Sequence, residues 1–272
     1  MTIFQSVVLG MVQGLTEFLP VSSSAHLILF PWLFGWKDPG LAFDAFLHFG
    51  TLLAVLLYFA SDWLAILKAG VVSIIDRRIG FDRDRLLFWL IGVGTVPAVL
   101  AGLLFHEQVE TIFREPVLIA VPLAFVGFLL YWVDGNYPSL RRIEELTFKD
   151  AIWIGIAQAF AIIPGVSRSG GTMAMARLLG VNREAAARFS FLLSLPIILG
   201  ACAFEWKKLA AQTADAFSVN SLLWGLGSAT LFGMVAIHLL LHLVKTADFR
   251  FFAWYRVLLA ALIIVLSIFP LR

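Results

Sequence analysis

Apolar residues along this chain gather in long runs rather than alternating with polar ones. Six runs, at about 41–60, 86–105, 117–133, 186–204, 221–244 and 251–269, reach the roughly 20 residues a helix needs to cross a bilayer. Two further apolar regions, 3–36 and 150–180, are interrupted. The first is broken by Pro20-Val21-Ser22-Ser23-Ser24, the second by Pro164-Gly165-Val166-Ser167-Arg168-Ser169-Gly170-Gly171. Each predicts a short helix, a polar break and a second short helix. Non-helical backbone at membrane depth survives only when buried in protein or lining a wet cavity. Re-entrant helix pairs are therefore expected, and their breaks are the candidate sites.

The two broken regions resemble each other. An offset of 145 positions sets Gly10 and Gln13 on Gly155 and Gln158, Ser22 and Ser24 on Ser167 and Ser169, and Ala42, Phe46 and Phe59 on Ala187, Phe191 and Phe204. This pattern reads as a duplication, with one repeat at about 1–134 and the other at about 150–272 of a single integral membrane domain. Each repeat holds one re-entrant pair and three spans. Three is odd, so the second copy enters the membrane upside down. The expected fold is an all-α polytopic membrane protein, with six full transmembrane helices plus two re-entrant helix pairs in an inverted-topology repeat.

Composition agrees with a bilayer protein. Of 272 residues, 61% are hydrophobic and 14% charged, with a mean hydropathy of +0.92. A soluble domain carries about a quarter charged residues, so a soluble enzyme, a disordered chain and a nucleic-acid binder are excluded. The formal charge of +2 implies no strongly charged partner. Cys202 stands alone and reads as a packing residue. No Lys or Arg precedes Lys37 and Glu17 interrupts the first apolar stretch, so the N-terminus does not read as a signal peptide. Loop Lys and Arg divide unevenly. Thirteen between Lys68 and Arg250 fall on one face; Lys37, Arg114, Lys207, Lys208 and Arg272 fall on the other. The richer face is expected to be cytoplasmic, with both termini outside and the site opening outward. Trp63, Trp89, Trp132, Trp206, Trp224 and Trp254 near span ends read as interfacial anchors.

The breaks carry the chemistry. Gln13 and Glu17 are one helical turn apart and share a face. A carboxylate inside a membrane helix costs at least ~2.5 kcal/mol unless paired or hydrated, which marks it as functional. Ser22, Ser23, Ser24 and His26 follow, offering nucleophiles and a proton carrier. In the second break Gly170 and Gly171 let a ligand approach the backbone, Arg168 supplies a fork matched to phosphate oxygens, and Ser167, Ser169 and Thr172 add hydroxyls. The Gly-Lys-Ser/Thr ending of a P-loop is missing, so a nucleotide is not indicated. Facing each other, the loops would grip a phosphate or diphosphate and act on it. Access from the lipid phase points to a phosphorylated lipid.

Gln13-x-x-x-Glu17 with Pro20-Val-Ser-Ser-Ser-Ala-His26, and Pro164-Gly-Val-Ser-Arg-Ser-Gly-Gly-Thr172, resemble the undecaprenyl-diphosphate phosphatase family of the bacitracin-resistance type. The resemblance runs end to end and includes Phe189-Ser-Phe-Leu-Leu-Ser-Leu-Pro196. It implies a divalent-cation-dependent inner-membrane enzyme that converts the C55 isoprenyl diphosphate left by cell-wall polymer synthesis to the monophosphate carrier. It implies Glu17 as the essential glutamate, Ser23 and His26 as nucleophile and base, and Arg168 as the diphosphate-binding arginine. Where the family has Glu or Gln, Gln13 is neutral and cannot act as a base. Its carbonyl can still join Glu17 in holding Mg²⁺ or Ca²⁺. Serine attack, histidine attack and attack by activated water all stay open, and a homodimer is compatible with this reading.

Other polar residues are read more plainly. Asp44 and His48, four apart, border the site or a solvated helix end. His238 and His242 share a face but lack a His-Glu-x-x-His pattern and are expected to be interfacial. Arg188 and Arg256 read as snorkelling or packing arginines, and His106 beside Glu107 carries no assignment. The rival reading is a transporter or flippase of the same carrier lipid, since inverted repeats with re-entrant loops also build carriers. Hydrolysis is favoured because a carrier needs a phosphate grip but not Glu17, Ser23 and His26 together. A membrane acid phosphatase is set aside, because no histidine occurs between Arg168 and His238.

Overall fold

The structure, a computed structural model, describes residues 1–80, 82–112 and 116–269, with backbone alone at 106–112, 116 and 205–216. The side chains of His106, Glu107, Arg114, Trp206, Lys207 and Lys208, and Arg272 as a whole, lie outside the described residues. The described chain is all-helical, apart from an isolated bridge between Arg141 and Val181. Its helices are α1 (Ile3–Phe18), α2 (Ser23–Phe34), α3 (Leu41–Tyr58), α4 (Ala60–Ile75), α5 (Arg83–Ile112), α6 (Pro116–Asn136), α7 (Phe148–Ala159), α8 (Arg168–Leu178), α9 (Arg183–Ala216), α10 (Val219–Leu243) and α11 (Arg250–Ile268).

Six of them are long and apolar enough to cross a membrane, and they match the six expected runs: Leu41–Tyr58, Arg83–Phe105, Val117–Asn136, Arg183–Phe204, Val219–Leu243 and Arg250–Ile268. The chain is a multi-pass membrane protein. The polarity pattern of α11 shows why. Phe251 and Leu258 face outward, 72% and 65% exposed, whereas Arg256 is wholly buried among the helices. The sequence did not foretell α4, which continues α3 beyond a bend at Phe59.

Both polar breaks are real interruptions of helix. Leu19 and Ile163 each precede a proline and adopt extended backbone, as the clash of the proline ring with the preceding residue demands. Ser22 (φ 77°) and Ser167 (φ 69°) then take left-handed conformations before α2 and α8 begin. For a residue with a Cβ this costs on the order of 1–3 kcal/mol and persists only where the surroundings over-determine it.

Those surroundings are close-packed helices. α1 lies along α10 and α7 along α5. A Cβ on Gly10 would stand 2.3 Å from the Gly225 carbonyl oxygen, and one on Gly155 would stand 2.3 Å from that of Gly94. Such backbone proximity is how helices associate in lipid, where apolar burial gives no drive. The contacts bring the ends of α1 and α7 to the middle of the molecule.

Candidate active site

Arg256 of α11 is the piece that holds the two breaks together. Its guanidinium donates to the carbonyl oxygens of Pro20 (3.1 Å) in the first break, Gly165 (2.7 Å) and Val166 (3.0 Å) in the second, and Leu123 (3.1 Å) of α6. A snorkelling arginine would reach for the interface; this one is 0% exposed and satisfies carbonyls that the breaks release from helical bonding. Ser169 Oγ adds a second tie, donating to the Leu19 carbonyl at 3.1 Å.

With the breaks joined, Glu17 meets groups from both. Arg168 donates to its Oε1 at 2.9 Å, and Ser23 Oγ donates to its Oε2 at 2.6 Å. Gln13 Nε2 donates to the same Oε2 at 3.1 Å, one turn back along α1 as the spacing required. The carboxylate is 6% exposed and fully engaged. Arg168 is held in turn by the Ser190 carbonyl (3.2 Å) and lies 6.0 Å from the centre of the Phe18 ring. Two buried atoms nearby have no protein partner: Arg168 Nε, a donor, and Gln13 Oε1, an acceptor. An unpaired donor on a fork beside an unpaired acceptor suits an anion and a cation arriving together. Gln13 Oε1 and the Glu17 carboxylate are oxygen donors of the kind a hard dication takes, with phosphate oxygens completing its shell. The residues present therefore fit Mg²⁺ or Ca²⁺.

The remaining expected residues take more varied places. Ser22 Oγ lies 3.2 Å from Ser24 Oγ, which accepts a long contact from the Gly165 amide (3.5 Å). Ser167 Oγ caps α8 at the Gly170 amide (3.1 Å) and lies 3.2 Å from Ser169 Oγ. Thr172 Oγ1 is bonded to the Arg168 carbonyl (2.8 Å) and Ser190 Oγ (2.7 Å). Most of these hydroxyls shape the loop. Gly170 and Gly171 likewise make room inside the protein: a Cβ would lie 3.0 Å from Arg256 Nη1 and 3.2 Å from the Ala157 carbonyl oxygen, respectively. His26 sits apart from the carboxylate, bonded to the Ser22 carbonyl (2.7 Å) and to Tyr255 Oη (2.7 Å).

Residues outside the breaks complete the site. His48 of α3 places Nε2 at 3.4 Å from Glu17 Oε2 and bonds the Asp44 carbonyl through Nδ1 (2.7 Å). The Asp44–His48 spacing was the only hint of it. Tyr255 gave no sequence signal, and Ser190 appeared only within the Phe189–Pro196 stretch, with no role attached. Arg188 leaves the site altogether, pairing with Asp62, and His238 Nδ1 pairs with Tyr58 Oη at 3.2 Å.

The family described as bacitracin resistance protein BacA matches residues 6–262. The chain belongs to this family. Similar proteins named undecaprenyl-diphosphatase run along its whole length. That of Pelotomaculum thermopropionicum is 45% identical over 98% of this chain and 97% of its own. Those of Caldicellulosiruptor bescii and Desulforudis audaxviator are 48% identical over 100% and 99%, and 49% identical over 97% and 98%, respectively.

Proposed function

We propose that the chain hydrolyses undecaprenyl diphosphate to undecaprenyl phosphate and phosphate in the bacterial inner membrane, recycling the carrier lipid of cell-wall polymer synthesis and so conferring bacitracin resistance. One observation carries the reading: a single buried carboxylate, Glu17, holds a serine hydroxyl on one oxygen and an arginine on the other. That arrangement places a nucleophile, its base and an anion-binding cation within one site.

In the mechanism this supports, Arg168 turns its unpaired Nε edge to the diphosphate. Ser23 Oγ attacks the terminal phosphorus and passes its proton to Glu17 Oε2. The phosphoanhydride P–O bond breaks and undecaprenyl phosphate leaves with its electron pair. Water then attacks the phosphoserine, and the proton on Glu17 returns to Ser23 Oγ as phosphate departs. A divalent cation held by Gln13 Oε1 and Glu17 would supply neutralisation of the diphosphate charge. Ser22, Ser24, Ser167, Ser169, Gly170, Gly171 and Thr172 hold the loops that present these groups.

We infer the inverted-topology repeat on the same footing. It is supported by the matched left-handed serines, Ser22 and Ser167, and by the matched close glycines, Gly10 and Gly155. In it α1–α2 and α7–α8 are the re-entrant pairs, both termini lie outside, and the site opens to the outer face.

The test is phosphate release from a C55 or C15 isoprenyl diphosphate by detergent-purified protein, with Mg²⁺, Ca²⁺ or EDTA, beside Glu17→Ala and Arg168→Ala. Cation-dependent release lost in both variants is expected. No release from folded protein under any cation overturns the enzyme reading in favour of a lipid carrier.

A further inference from the structure

His26 is 4% exposed, and both of its ring nitrogens are committed. The Ser22 carbonyl oxygen can only accept, so Nδ1, 2.7 Å from it, carries the proton. In the neutral ring Nε2 then offers a lone pair, and the Tyr255 hydroxyl, 2.7 Å away, donates to it. The two rings lie nearly parallel, 6° apart with centroids at 5.7 Å. Tyr255 comes from α11 and neighbours Arg256, which clamps Pro20 of the same break. Ser23 and His26 are three residues apart on α2 and share its face. Ser23's own hydroxyl is already given to Glu17.

We propose that Tyr255 is a positioning residue for phosphate transfer. The Ser22 carbonyl fixes the Nδ1–H tautomer of His26, and the Tyr255 phenol, donating to Nε2, sets the plane of the imidazole three residues along α2 from Ser23. Glu17 alone serves the nucleophile, and His26 acts only through the geometry that Tyr255 imposes. This deepens the hydrolytic reading of the site and rests on it. Tyr255 is 38% exposed where His26 is buried.

The experiment joins kinetics to a signal independent of activity. Tyr255→Phe keeps the stacked ring and removes only the hydroxyl. Losing one hydrogen bond should lower kcat about three- to tenfold with KM little changed. In ¹⁵N-histidine-labelled protein, with His26 assigned by its loss in His26→Gln, the Nε2 resonance should move toward its value without a hydrogen bond when Tyr255 becomes Phe. The double variant should be no worse than His26→Gln. An unmoved Nε2 resonance, an unchanged kcat, or additive losses overturns the proposal. Wild-type protein that shows the Nε2 shift and releases no phosphate overturns the catalytic reading while leaving the hydrogen bond in place.

Discussion

Glu17 has two oxygens and four partners: Arg168 on Oε1, with Ser23, Gln13 and His48 around Oε2. Glu17→Gln preserves shape and removes the proton acceptor. A general base is worth about 10²- to 10⁴-fold, so phosphate release should fall by that order in protein that still purifies folded. His48 sits 3.4 Å from Oε2, and because its Nδ1–H is given to the Asp44 carbonyl it offers an N–H there as the imidazolium. His48→Leu should cut kcat about tenfold, as expected for a hydrogen bond to a charged group. His48→Gln keeps an N–H within reach and should recover much of it; equal loss in both would remove His48 from the site. Glu17, Ser23 and Arg168 were legible because charge and hydroxyls stand out in apolar sequence. The contacts of His48, Tyr255 and Ser190 were not, because α3, α11 and α9 reach the site only through packing; the Asp44–His48 spacing left only a hint. Arg256 was legible as a packing arginine in a span, but nothing in its own helix names the carbonyls it serves.

The helices themselves were the most legible level, because length and apolarity suffice for a span. α4 was missed because its 16 residues include Asp62 and Lys68 and it does not stand alone as one. Gly10 and Gly155 showed in the sequence as matched positions, but their purpose is tertiary. Gly155→Val would drive its Cβ into the Gly94 carbonyl. Overpacking of this kind costs about 1–3 kcal/mol, read as a lower unfolding temperature in detergent. Gly92, whose added Cβ would meet open space, should accept alanine with no such drop.

Across the whole molecule, ion pairs tie the segments that follow α6. Asp134 accepts from Arg177 (2.8 Å), Arg183 (2.8 Å) and the Phe249 amide (2.8 Å), joining α6, α8, α9 and the start of α11. Asp134→Asn leaves a buried guanidinium without its counter-charge. Breaking such a pair costs about 3–5 kcal/mol, measurable as loss of thermal stability. Nearby, burial pushes the Asp150 carboxyl up, but hydrogen bonds from Arg141 and Thr147 outweigh this and hold it below the usual carboxylate range. A depressed carboxylate stabilises the fold above its unfolded pKa and loses that contribution as pH falls through the folded value. Unfolding scans should therefore show the wild-type advantage over Asp150→Asn intact near neutrality and fading only in acid. None of these long-range pairings could be read from spacing, since the partners lie far apart along the chain.

The Arg256 clamp also sets an order of events during synthesis. Ribosomes make Glu17, Ser23 and Arg168 early, and each can enter the membrane with its own helices. The bonds of Arg168 to Glu17 and of Ser169 to Leu19 can form once α8 is made, but the clamp itself waits for α11, whose guanidinium lies between the breaks. A nascent chain halted before residue 250 would carry every reacting group without the clamp that satisfies the carbonyls of Pro20, Gly165 and Val166. The full site is therefore expected only late in biogenesis, and removing α11 should weaken phosphate release even though every reacting group remains.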